Sequence, residues 1–276
     1  MEVQIIGIYV ICEEIIKQVG LRDDPQAQMS SAEIMTTHLV AAQWFGNNIQ
    51  TARRFLRENG CIPNMLSKSR FNRRLHAIPQ FVWESCFNFL ARIGLEQEKE
   101  NEFIVDSFPV AVCHNIRIRR SRLYSEEKYR GYTASKKQYF FGLKVHMIAT
   151  KGGQPVEMVF APGSEHDLKV FKEMNLNFSE GATIYADAAY NDYEFEDTAK
   201  AGGEIDIKAH RKINSKRPIS QALNFIIGKN RKKVETVFSS ISKLFPKKIH
   251  AVTSRGFELK LFTFVLAYSI QNLIGI

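Results

Sequence analysis

Apolar residues recur at helical spacing in "SAEIMTTHLVAAQWF", which predicts a helix with Ser31 as its N-cap. "NIQTARRFLREN" predicts a second amphipathic helix ended by Gly60, and "SKSRFNRRLHAI" a third, bounded by Pro63 and Pro79. Residues 1–95 thus read as an all-helical domain. Its third helix presents Arg70, Arg73 and Arg74, which suits a helix-turn-helix-like DNA-binding domain or a plain bundle with a charged outer face. Near residue 96 the pattern changes. After the acidic connector "LEQEKENE" come the strand-like runs "FIVDSFPV", "QYFFGLKVHMIAT" and "QPVEMVFAP", the last two joined through "KGGQP" as a hairpin over 139–161. A helix from about Asp167, strand "ATIYAD", a helix over 192–201 and strand "EIDIKA" follow. A helix around 230–244 and a last one in "FELKLFTFVLAYSIQNLI" close the chain. Strands first alone and then alternating with helices describe a mixed α/β sheet flanked by helices over residues 96–276.

Charge sharpens this picture. The net charge is +9, yet residues 111–148 hold nine Lys/Arg against two Asp/Glu, and residues 208–250 hold twelve against one. Such lopsided segments point to a polyanion partner. The candidate DNA contacts in the first are Arg117, Arg119, Arg120, Lys128, Arg130, Lys136 and Lys137; in the second, Arg211, Lys212, Arg217, Lys229, Arg231, Lys232 and Lys233. Interleaved Tyr124, Tyr129 and Tyr132 suit base stacking or hairpin packing equally. Cys12, Cys61, Cys86 and Cys113 show neither zinc nor disulfide spacing and fit a reducing cytoplasm. The apolar run "LFTFVLAYSI" is short for a membrane span and reads as a core helix.

Two acids follow apolar strands in the same way, Asp106 in "EFIVDSFPV" and Asp187 in "ATIYADAAYND". Glu235 in "NRKKVETVFSSI" shares a helical face with Arg231 and Phe238 and supplies a third carboxylate. Oxygen ligands of this kind suit Mg²⁺, with Mn²⁺ tolerated, and a metal pair about 4 Å apart suits phosphodiester chemistry. Asp167 in "GSEHDL" competes for a site role, but it precedes a helix and is expected as an N-cap, as is Asp192. His166 and His146 are expected to be structural, His146 in or near the core.

The order Asp106, Asp187, Glu235, with "IVDSFPVAVCHNIRIRR", "GLKVHMIATKGGQPVEMVFAPGSEHDL" and "IYADAAYNDYE", resembles the DDE transposases of bacterial insertion sequences, the insertion sequence 982 group in particular. "LSKSRFNRRLHAI" fits the same group. The resemblance implies a ribonuclease-H-like catalytic domain over 96–276, with Asp106, Asp187 and Glu235 as catalytic metal ligands. It implies Mg²⁺ dependence, terminal inverted repeats and target DNA as partners, a homo-oligomer on DNA, and a bacterial cytoplasmic, nucleoid-associated setting. Arg231 matches the Arg four residues before the catalytic Glu in related enzymes. Gly228 stands where many of them carry a Tyr, and Ser242 where they carry a Lys, with Lys243 one position off. A metal-dependent nuclease that stops at hydrolysis, and a DNA-binding regulator that no longer cleaves, are the alternative functions.

Overall fold

The computed structural model describes residues 1–134, 137–211 and 214–274. The helices α1 (Glu2–Gln18), α2 (Ser31–Trp44), α3 (Ile49–Glu58), α4 (Lys68–Ala77) and α5 (Gln80–Gln97) come first. Strands β1 (Glu102–Cys113), β2 (Arg130–Thr133), β3 (Gln138–Thr150) and β4 (Pro155–Pro162) follow. Then come α6 (Asp167–Glu173), β5 (Thr183–Ala186), α7 (Tyr193–Gly203), β6 (Asp206–Ala209), α8 (Gln221–Lys243) and α9 (Ser254–Ile274). The chain divides into two units, Met1–Arg92 with Ser240–Ile276, and Ile93–Ser239.

The first unit is helical, and α2 and α9 are its center. Both are buried on nearly all sides, as their lack of a polar stripe requires. His38 of α2 is fully buried, edge-on to Trp83 at 5.9 Å and 3.3 Å from the Thr263 hydroxyl of α9. The α2 N-cap is Ser30 rather than the expected Ser31: Ser30 and Glu33 form a reciprocal capping box. Ser31 is taken instead by Asp23, which accepts from its amide at 2.7 Å and its hydroxyl at 2.6 Å. The short turn between helices falls at residues 45–48, between α2 and α3. The link into α4, residues 59–67, exceeds the roughly three to four residues of a helix-turn-helix.

The second unit is built on the sheet. β1 pairs antiparallel with β3 and parallel with β5, and β5 pairs parallel with β6. β4 and β2 both pair with β3 on the edge away from β1, β2 along Gln138–Phe141 and β4 along Leu143–Ala149. The path β4-β3-β1-β5-β6, antiparallel as far as β1 and parallel beyond it, is the mixed, ribonuclease-H-like arrangement expected. β3 is buried over most of its length, which its near-continuous apolar run "FFGLKVHMIA" demands of a central strand. Its Gly142 sits opposite an irregularity in β1 between Ala111 and Cys113. A Cβ there would come within 2.1 Å of the Val110 carbonyl oxygen, so no larger residue fits. Among the described residues no helix is long and apolar enough to cross a membrane.

Candidate active site

Parallel pairing of β1 with β5 sets Ile104 opposite Tyr185. Two residues further on come Asp106, still within β1, and Asp187, just past β5, near enough for the Asp187 charge to act on Asp106. β1 does not end at Asp106, contrary to the expectation of two strand-end acids. It continues to Cys113 along β3, and only its partnership with β5 stops at Ile104. Asp187 does end its strand: its carboxylate accepts from the Ala188 amide at 2.5 Å and opens a 3-10 turn, Ala188–Tyr190.

The Asp106 carboxyl accepts from the Ser107 amide at 2.8 Å. Burial is the main cause that raises its pKa, to about 6. Arg231 and the Ser107 amide oppose that rise, whereas the charges of Asp187 and Asp167 add to it. A half-buried acid facing two further acids is a site that a cation or a proton would relieve. Arg231 of α8 reaches this cluster, its Nη2 3.0 Å from Asp187 Oδ2. One helical face also carries Phe238, whose ring packs on Phe108 of β1 at 4.7 Å. Glu235 lies between these two anchors on the same face, exposed to solvent and with no hydrogen bond or ion pair of its own among the described residues. Among the described residues no three His, Cys, Asp or Glu side chains are gathered to hold a metal ion.

Asp167 differs from its expectation. The N-cap of α6 is His166, and Asp167 turns toward the sheet. Its Oδ1 lies 2.7 Å from Lys144 Nζ, 3.3 Å from the Ser107 hydroxyl and 4.0 Å from His146. His146 is fully buried, as expected, and burial lowers its pKa to about 4, so it stays neutral at physiological pH. Asp192 is an N-cap, accepting from the Phe195 amide. Sequence patterning does not single out Tyr190. It is buried beside Asp106 and Asp167, at the end of the turn that Asp187 opens, and its place three residues after Asp187 in "DAAYND" is the one signal the chain offers for it.

The basic residues divide. Arg70, Arg73, Arg117, Arg119, Arg120, Lys137, Lys229 and Lys232 are exposed, and Lys233 is half-buried. Arg74 is paired with Asp23 at 2.6 Å. Lys128, Arg130 and Arg217 are exposed but pair locally with Glu126, Glu127 and Asp197. Arg211 departs from a DNA-contacting role: its guanidinium is buried, pairs with both oxygens of Glu196, donates to Asn191 and lies 5.0 Å from the Tyr193 ring center. Lys136 and Lys212 lie outside the described residues. Tyr124 is buried against Tyr129 at 4.2 Å, whereas Tyr132 lies 4.9 Å from Tyr139 with both rings exposed.

A family model described as the transposase DDE domain matches residues 97–270, more than half of the chain. Among solved structures, a cryo-EM structure of the piggyBac transposase synaptic complex with hairpin DNA is similar at a TM-score of 0.48 and 10% identity. That likeness covers 98% of this chain and 72% of that one. No curated protein matches the chain.

Proposed function

The chain belongs to the transposase DDE domain family, and from that premise we propose that it cleaves the ends of an insertion sequence of the 982 group and joins them to target DNA. The observation that carries this reading is the convergence of Asp106 in β1 with Asp187 just past its parallel neighbor β5, with Arg231 on Asp187. Their all-oxygen, like-charged donors fit a hard divalent cation, Mg²⁺ with Mn²⁺ tolerated. Asp106 and Asp187 would hold it, with Glu235 completing the set from α8. When bound, the cation makes a hydroxyl oxygen a stronger attacker and stabilizes charge on a phosphate.

The chain's own groups have separate tasks. Arg231 fixes the direction of the Asp187 carboxylate through their ion pair, and the Ser107 amide orients the Asp106 carboxyl. Burial of Asp106 leaves its carboxylate poorly solvated and therefore ready to exchange a proton for a cation. The exposed cations Arg117, Arg119, Arg120, Lys229 and Lys232 hold the phosphate backbone. Terminal inverted repeats and target DNA are the partners, acted on by a homo-oligomer. A strand-transfer assay tests the reading: DNA carrying the repeats that flank the gene is incubated with the protein and Mg²⁺. Joined products support it. Nicked ends that never join would favor a nuclease, and bound but intact ends a regulator.

A further inference from the structure

The helical unit contains a cleft of about 890 Å³ between α2, α3, α4 and the start of α9. Arg53, Lys68, Lys248, Arg255 and Lys260 line it, and among the described residues no Asp or Glu does. Lys68, Lys248 and Arg255 are exposed. On α4 the cleft-lining positions are Lys68, Asn72, Leu75 and His76, a different face from that of Arg70 and Arg73. The first residues of three helices also line it: Ile49 of α3, Lys68 of α4, and Arg255 and Gly256 of α9. Helix starts carry partial positive charge, so they add to the preference for an anion.

Asn47 is the independent sign of a ligand. It lines the cleft and is 8% exposed, and neither its Nδ2 nor its Oδ1 has a hydrogen-bond partner. Buried amides are nearly always satisfied, and one left with both a donor and an acceptor unfilled is fitted to a group that offers both. Its backbone is left-handed, at a φ of 61°, which an asparagine tolerates better than a larger residue. Fully buried His38 also lines the cleft, with its Nδ1 unpartnered. Phe45, Ile49 and Leu259 supply apolar wall.

We propose that this cleft binds one nucleotide of a DNA strand, its phosphate on Lys68, Lys248, Arg255 and the helix starts, its base edge on the Asn47 amide. An amide that pairs donor with acceptor matches a base edge, whereas the carboxylates of an acidic peptide offer acceptors only. The choice of DNA as the ligand rests on the transposase reading; the cleft itself does not depend on the carboxylate site. The size is right for a nucleotide-scale group.

The test is binding of a short labeled single-stranded oligonucleotide to the full chain, read by fluorescence anisotropy against salt. Because no cleavage is read, a chain without transposase activity still gives a clear answer. The triple variant Lys68→Gln, Lys248→Gln, Arg255→Gln should weaken binding roughly tenfold and flatten the log K against log salt slope by about 2. Asn47→Gly, which keeps the left-handed backbone and deletes the amide, should weaken binding severalfold with the slope unchanged. Thermal melting checks that each variant folds; if Asn47→Gly does not, the surface triple alone decides. Parent-like affinity and slope in the triple would overturn the proposal. So would displacement of the oligonucleotide by polyglutamate as readily as by unlabeled DNA.

Discussion

Arg231 Nη2 lies 3.0 Å from Asp187 Oδ2, joining the last helix of the sheet unit to the acid that ends β5. The pair is only partly shielded, with side-chain exposures of 25% and 37%, so it orients far more than it stabilizes. Arg231→Gln should therefore lower strand cleavage by roughly tenfold or more, about 1.4 kcal/mol at the transition state, with little change in melting temperature. Cleavage rates beside a thermal melt decide it; a large loss of stability at preserved activity would make Arg231 a structural residue.

Glu235→Gln should abolish cleavage and leave DNA affinity near the parent value. Glu235 is exposed and makes no hydrogen bond or ion pair among the described residues, so its replacement disturbs no packing. Asp106→Asn and Asp187→Asn should lose activity to a similar extent, and pairs of these changes should not add. Near-parent cleavage by a folded Glu235→Gln protein would remove that residue from the site.

Asp106 gives a pH signature. Its pKa rises from 3.8 to about 6 in the folded chain, chiefly through burial, so between those values the folded state holds a proton that the unfolded state has lost. Stability from this group is thus present below about pH 4 and falls as pH rises through 6. Asp106→Asn should be more stable than the parent at pH 7 by on the order of 2 kcal/mol. That advantage should vanish near pH 4, as urea denaturation at both pH values would show. Parent activity should climb through about pH 6 as the carboxylate ionizes.

Asp167→Asn should cost stability rather than act as a harmless cap replacement, because Asp167 holds the half-buried Lys144 at 2.7 Å and accepts from Ser107. A loss of about 1–3 kcal/mol is expected, measured by denaturant titration. If the folded variant is fully stable but inactive, Asp167 belongs with the catalytic acids.

Arg211→Ala should cost about 3–5 kcal/mol, since it strands the buried carboxylate of Glu196. It should leave the salt dependence of DNA binding unchanged. The parent slope of log K against log salt should be roughly −5 or steeper if six or more phosphates are neutralized. A shallower slope in Arg211→Ala, with the fold intact, would return Arg211 to the DNA surface.

Local patterns carried much of this fold. The hairpin expected at 139–161 appears as β3 and β4, and Asp187 does follow an apolar strand, whereas Asp106 lies within one. What sequence spacing could not show is competition between partners distant in the chain. Ser31 looks as good a cap as Ser30 until Asp23, eight residues back, captures it. Asp167 reads as a cap because Lys144 is 23 residues away and on a different element. Arg211 looks like one more cation in a basic run, and only the fold brings Glu196 and Tyr193 around it. The α8 helix begins at Gln221, well before the expected 230, because the Gly and Asn residues in "NFIIGKN" weaken the helical pattern without breaking it.

The helical unit is assembled from two segments far apart in the chain, α9 packing against α2 while the sheet unit occupies the stretch between them. During synthesis, therefore, α2 leaves the ribosome without the helix that buries it, and more than two hundred residues must follow before α9 exists. The sheet unit has no such wait and can close first. An apolar helix that stays unpartnered for that long is a natural client for chaperones, and stalled or prematurely terminated chains would carry a finished sheet beside an unfinished helical unit.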